Sequence, residues 1–116
     1  MIKISKFLQA DFTVLKPLKI KEQGTTRSSL ENMKKIYDAG YDLESAILTY
    51  DTKKNDVKLI CVFTRDHKVE THTFLGFNIG YGGEGPRGLM EGLKVYGIDF
   101  NAMVKPSETQ GRIKFK

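Results

Sequence analysis

The stretch "FNIGYGGEGPRGL", residues 77–89, places five of the chain's eleven glycines between positions 80 and 88. Each glycine costs about 0.5–1 kcal/mol of order against alanine inside a regular element, so bare backbone at this density needs a reason. The chemistry that suits it is the binding of an anion. Where a strand passes through a loop into a helix, the first helical N–H groups have no intrahelical partner, and the helix dipole adds about half a positive charge. Glycines let those amides approach a ligand closely, and turn-like runs of them form N–H nests. Gly80, Gly82, Gly83 and Gly85 supply that backbone. Tyr81 and Phe77 offer aromatic rings for a base, and Asn78 an amide for a base edge or a sugar hydroxyl. Glu84 suits a helix cap or ribose hydroxyls. Arg87 is a cation in the first helical turn, against the dipole, and a bound anion relieves that conflict.

The pattern G-x-G-x-x-G fits twice, at Gly80, Gly82 and Gly85 and at Gly83, Gly85 and Gly88. A dinucleotide fold needs a parallel strand after the helix and an acidic residue about 20 positions on, whereas the strands before this loop read as antiparallel. A P-loop needs Gly-Lys-Ser/Thr, which is absent. A second explanation stays open: a tight turn that lets the following helix pack closely against the sheet.

Other chemistry is sparse. His67 falls in a turn and His72 on a strand, five apart, with no second cysteine; both are expected at the surface, with no metal site. Cys61, inside "VKLICVF", has apolar neighbours and no base beside it, which fits a reduced core thiol in a cytoplasmic protein. No nucleophile elbow surrounds Ser28, Ser29 or Ser45. The carboxylates Asp42, Glu44, Asp51 and Asp56 flank turns as solvated charges. No acid–base constellation emerges and no catalytic residue is assigned, so a non-enzymatic role is expected, with no cofactor. Arg65, ending a strand, and Arg112, in the tail, are further candidates for phosphate contact.

These residues must be positioned by a chain of 116 residues, which suits one domain over 1–116. Hydrophobic residues make up 40% and charged residues 28%, a globular rather than disordered balance. No apolar run is long enough to span a membrane, and the start "MIKISKFLQADF" lacks the apolar core of a signal peptide. The net charge is +5. Its excess lies at the ends: Lys3, Lys6, Lys16, Lys19 and Lys21 against Asp11 and Glu22, then Lys105, Arg112, Lys114 and Lys116 against Glu108. Such ends attract nucleic acid, nucleotides or other phosphates, or simply keep the protein in solution.

"IKISKFLQ" and "FTVLKPLKI" read as two strands or one bent strand. Ser28, with Glu31 three residues on, is an N-cap candidate for a helix carrying Leu30, Met33, Ile36 and Tyr37 on one face and stopped by Gly40. "LESAILTYD" and "VKLICVFTR" form a hairpin, and the apolar run Val57–Phe63 predicts a central strand buried on both sides. "VETHTFLGFNI" alternates as a third antiparallel strand. Pro86 suits the first position of a second helix, with Leu89, Leu93 and Tyr96 on one face and Gly97 as its stop. Further strands are expected near Ile98–Val104 and Arg112–Phe115. The fold class is α+β, an antiparallel sheet of about four to six strands with two helices packed on one face.

The segment "FNIGYGGEGPRGLMEGL" resembles a motif of small bacterial and phage proteins, aromatic–x–x–Gly–Tyr–Gly–Gly–x–Gly–Pro followed by an apolar helix. Phe77, Gly80, Tyr81, Gly82, Gly83, Gly85, Pro86, Leu89 and Leu93 match, over about a sixth of the chain. That family brings no activity with it. By type rather than by alignment, the compact lysine-rich chain is similar to phage Thoeris anti-defence sponges, which bind cyclic ADP-ribose isomers and cyclic oligonucleotides without cleaving them. The resemblance implies sequestration of a phosphorylated nucleotide signal in the host-cell cytoplasm. A ligand site at a subunit boundary is natural for that role, so a dimer or higher oligomer is expected. Two alternatives remain beside it: a basic module that binds nucleic acid, and a protein that binds and blocks a host defence protein.

Overall fold

A computed structural model describes residues 24–116; the strands expected in residues 1–22 lie outside the described residues. The order is α1 (Thr26–Asp38), β1 (Asp42–Asp51), β2 (Asp56–Arg65), β3 (Lys68–Phe74), α2 (Glu84–Val95) and β4 (Gln110–Lys114). The four strands form one antiparallel sheet in the order β3-β2-β1-β4, and both helices pack on one of its faces through a single core cluster.

The first helix begins earlier than the Ser28–Glu31 pair predicts. Thr25 is the N-cap: its hydroxyl accepts from the Ser28 N–H (3.0 Å), while the Ser28 hydroxyl accepts from the Thr25 N–H (3.3 Å). A serine three residues on closes this box as well as a glutamate would, and Glu31 instead pairs with Arg27 at 3.2 Å. The expected stops hold. Gly40 (φ +91°) and Gly97 (φ +81°) take the left-handed conformation one residue beyond each C-cap. Each is followed by the long-range bond of a Schellman motif, from the Tyr41 N–H to the Ile36 carbonyl and from the Ile98 N–H to the Leu93 carbonyl.

The second helix also starts earlier, at Glu84, which puts Pro86 at its third position rather than its first. Its third N–H is an orphan in any case, so proline is still accommodated there. Gly88 and Gly92 face α1. A side chain on Gly88 would collide with Cγ2 of Thr26, and a Cβ on Gly92 would stand 2.7 Å from Sδ of Met33. Further along, Lys34 meets Glu91 at 2.7 Å and the rings of Tyr37 and Tyr96 pack edge to face at 5.5 Å. The order of these contacts shows that the two helices run parallel.

In β2, burial alternates: Val57, Leu59, Cys61 and Phe63 are buried, whereas Ile60 and Val62 are only half-buried. Among the described residues the helices cover one face of the sheet and no helix or strand covers the second, so these residues do not make the closed interior that the apolar run suggested. No strand forms at Ile98–Val104. Asn101 closes a side-chain turn onto the Met103 N–H (3.1 Å), and the Ala102 carbonyl accepts from Gly80 (2.8 Å), so the segment spends its polar groups on turns and on the glycine loop.

His72 is not a surface residue. It shares the core face with Glu70 and Phe74, and its side chain is only 15% exposed. Its Nε2 lies 3.0 Å from Oε1 of the buried Glu70, whose Oε2 accepts from the hydroxyl of Tyr41 at 2.8 Å. The Arg65 guanidinium lies 4.7 Å over the Tyr41 ring and donates to the Ala39 carbonyl (2.6 Å). Alternation in "VETHTFL" places Glu70, His72 and Phe74 together, but nothing in the sequence shows which face is inward.

Burial holds three acidic groups in their neutral forms. It pushes the Cys61 thiol up to about 12 from an ordinary 9.0. It also raises the Tyr41 phenol, with Glu70 adding to the effect, and the Tyr96 phenol, with help from Cys61 and the nearby carboxylates. A group whose folded pKa lies above its unfolded value stabilises fully below the unfolded value, and that stabilisation is lost as pH climbs through the folded one. The melting temperature is therefore expected to hold up to about pH 8.5 and then fall steadily. Cys61→Ala should remove the part of the fall that begins nearest 9.0. A melting temperature unchanged up to about pH 11 would contradict this account.

Candidate functional site

The chain leaves the sheet after Phe74, the last residue of β3 paired with β2, opposite Leu59. Beyond it, Leu75 to Gly83 run without regular structure to the start of α2. Two anchors fix this run. At Gly76, the carbonyl accepts from the Thr26 hydroxyl (2.6 Å) and the N–H donates to the Ser29 hydroxyl (3.0 Å), so the first turn of α1 grips both backbone polar groups of one residue. At Gly80, the N–H donates to Ala102.

Between these anchors, Asn78 folds its side chain inward. Its Oδ1 accepts from the Ile79 N–H (2.9 Å) and its Nδ2 donates to Oδ1 of Asn55 (3.2 Å). Asn55 closes the β1–β2 turn in the left-handed conformation (φ +53°). That turn is organised by Asp51, whose Oδ1 accepts from the N–H groups of Lys53 and Lys54 and whose Oδ2 accepts from Gln110. Burial raises the Asp51 pKa, but these hydrogen bonds and the Lys54 charge outweigh it and hold the carboxyl below its ordinary value.

Two depressions flank the ridge made by Asn78 and Tyr81. The larger, about 510 Å³, opens where the chain peels away from β2. Asp56, Lys58, Gly76, Phe77, Asn78 and Tyr81 are among its lining residues, with Asn55, Leu75 and Gly85. The smaller, about 130 Å³, lies between the β1–β2 turn and the loop and is bordered by Asn55, Asn78, Gly80, Tyr81, Lys105 and Pro106. Tyr81 stands 48% exposed between them. A Cβ on Gly83 would run into the Tyr81 ring, and one on Gly85 would stand 2.7 Å from Cβ of Asn78 and 3.1 Å from the Tyr81 hydroxyl. The bare backbone at 83 and 85 therefore makes room for Tyr81 to lie across the start of α2.

The N–H groups of Gly82, Gly83, Glu84 and Gly85 make no hydrogen bond to the described residues, and Gly83 gives the helix no side-chain cap. Pro86 contributes no donor, and Glu84 sets a carboxylate in the first turn. Four consecutive unpaired amides remain at this end of α2.

Of the residues singled out in the sequence, the structure brings Phe77, Asn78, Gly80, Tyr81 and Gly85 to the two depressions. Gly82, Gly83, Glu84 and Arg87 sit beside them at the helix start, with Glu84 and Arg87 exposed. Arg65 is not part of the constellation. It ends β2, a ten-residue strand whose other end, Asp56 to Lys58, borders the groove. Arg112 lies opposite Thr49 on the face of the sheet away from the helices. Asn55, Lys58 and Lys105 border the site without having been anticipated, because they come from segments far from the loop. The turn "KKND" signals a left-handed asparagine but not what it faces.

A separate groove of about 500 Å³ at the opposite end of the sheet is lined by Tyr37, Asp42, Glu44, Tyr96 and Lys116, with none of the expected site residues. Among the described residues no group of three or more His, Cys, Asp or Glu side chains is placed to hold a metal ion, and no helix is long and apolar enough to cross a membrane. Comparison with protein-family models, with curated proteins and with solved structures returns no match.

Proposed function

We propose that this chain binds a small phosphorylated nucleotide across the Asn78–Tyr81 ridge and holds it without converting it. The observation that carries the reading is the meeting, at one place, of an exposed tyrosine between two depressions and four unpaired backbone amides at a helix start. Tyr81 offers its ring to a base, and Asn55, with an amide nitrogen still free to donate, stands beside it. Lys58 and Lys105, one on each side of the ridge, offer ammonium groups to phosphate. Reversible holding fits the chemistry present: Cys61 is buried with its thiol held neutral, and His72 is turned into the core against Glu70. The role comes from the similarity in type to the Thoeris anti-defence sponges, not from the site: sequestration of a nucleotide signal, a cyclic ADP-ribose isomer or a cyclic oligonucleotide, as a phage anti-defence protein.

The test is retention. The protein is incubated with a panel of cyclic nucleotides and ADP-ribose isomers, washed and denatured, and the released ligand is weighed by mass spectrometry. Intact ligand is expected from the wild type. Tyr81→Ala should retain about tenfold less, the loss of one stacked base, and Lys58→Ala with Lys105→Ala less again. No retained ligand, or release of a converted product, would overturn the proposal.

A second reading has its own support. Lys58, Thr49 and Arg112 form one row across the outer face of the sheet, and Lys114 lies in the next row opposite Ile47. A basic sheet face suits a nucleic-acid backbone. It predicts oligonucleotide binding that collapses between about 50 and 200 mM salt and weakens in Arg112→Ala while ignoring Tyr81→Ala.

A further inference from the structure

Two asparagines and one carboxylate give the larger depression beside Tyr81 a fixed set of hydrogen-bonding groups. The order starts at the Ile79 N–H, which donates to Oδ1 of Asn78 (2.9 Å). That bond assigns the Asn78 oxygen, so its Nδ2 is the donor to Oδ1 of Asn55 (3.2 Å). Each amide oxygen already accepts a bond, whereas Nδ2 of Asn55 keeps both protons to donate.

Asp56, the next residue, lines the same depression of about 510 Å³ and supplies the one carboxylate among its described lining residues. It is exposed and forms no ion pair, although Lys58 borders the depression too. Its neighbour across the turn, Asp51, has its oxygens engaged by Lys53, Lys54 and Gln110. An amide donor and a free pair of carboxylate oxygens, side by side and next to an exposed ring, are what a base edge would meet.

The bases answer this pattern differently. Guanine presents two adjacent donors, N1–H and the 2-amino group, to the two oxygens of a carboxylate, and its O6 and N7 accept from an amide. Adenine offers one donor beside a bare ring nitrogen, and cytosine one donor beside two acceptors, so a carboxylate there sets lone pair against lone pair. Uracil has a single N–H between two carbonyls.

We propose that the base held against Tyr81 is guanine, with Asp56 accepting from its N1–H and 2-amino group and Asn55 donating to its O6. The assignment rests on the nucleotide-binding reading and chooses within it: ADP-ribose isomers carry adenine, so the ligand is a guanine-bearing cyclic oligonucleotide.

The test is calorimetric titration of the full chain with cyclic di-GMP, its inosine analogue cyclic di-IMP, cyclic di-AMP and cyclic ADP-ribose. The wild type is expected to bind cyclic di-GMP at least about tenfold more tightly than each of the others, the scale of one bidentate base contact. Inosine lacks only the 2-amino group, so its deficit reads the second of the carboxylate's two bonds. Asp56→Asn replaces one carboxylate oxygen by a donor that finds no acceptor on guanine. In that variant, its fold checked by circular dichroism, the preference for guanine over inosine should vanish or reverse. Tyr81→Ala should weaken both ligands alike and leave their ratio unchanged. Cyclic di-AMP or cyclic ADP-ribose bound as tightly as cyclic di-GMP by the wild type overturns the assignment of guanine and leaves the nucleotide reading standing. A guanine preference undiminished in Asp56→Asn overturns the role of the carboxylate. So does an equal loss of cyclic di-GMP and cyclic di-IMP, which would set Asp56 on ribose hydroxyls instead. Binding of none of the four overturns this proposal and the nucleotide reading together.

Discussion

Gly76→Ala is expected to lower the melting temperature by about 15 °C, the consequence of a destabilisation of about 3 kcal/mol or more. The added methyl would be driven into the carbonyl of Thr25 and against the N of Thr26, well inside contact. Those atoms are backbone at the capped start of α1 and have no rotamer to escape into. The N–H and the carbonyl of Gly76 are also both bonded, to the hydroxyls of Ser29 and Thr26, so relief by moving the strand exit breaks both bonds. Gly82→Ala is the control. A Cβ there meets only Sδ of Met103 at 3.9 Å, an ordinary contact, so its effect should stay within about 0.5 kcal/mol. Equal melting temperatures for the two variants would show that the close approach at Gly76 does not hold the fold.

Glu70→Ala is expected to cost a comparable amount, about 3 kcal/mol by chemical denaturation. Truncation removes the acceptor of the Tyr41 hydroxyl and the partner of His72 together, inside a core where water does not replace them. Glu70→Gln keeps an acceptor for Tyr41 and should lose less than half as much. Glu70 also helps to raise the Tyr41 phenol, so phenolate absorbance in Glu70→Gln should rise at lower pH than in the wild type. A Gln variant as unstable as the Ala variant would show that the charge, not the hydrogen bonding, does the work.

The regular elements were legible because their signals are local. Gly40 and Gly97 mark both helix ends, and the polar turn "DTKKND" marks the hairpin between β1 and β2. Errors arose where two local signals compete. Thr25 and Ser28 both fit a capping box, and only the chain's approach past Gly76 decides between them. The strand expected at Ile98–Val104 failed because its polar groups serve a distant partner, Gly80. The glycine-rich run proved to carry more than one requirement. Gly88, with Gly92 beyond it, admits α1, Gly85 and Gly83 admit Tyr81, and only the unpaired amides speak for a ligand. Asn55, Lys58 and Lys105 were beyond reach, since no pattern within a segment reports what another segment brings beside it.

The two anchors of the glycine loop bear on kinetics. With position 76 clamped to one helix, position 80 tied to residue 102, and a new helix starting at 84, only three residues between 80 and 84 keep backbone freedom. Ordering a residue costs about 1–2 kcal/mol, so most of that entropic charge is met during folding rather than on capture. Association with the nucleotide proposed above should then proceed in a single fast phase without a slow rearrangement, and residence time, rather than arrival, should separate one candidate ligand from another.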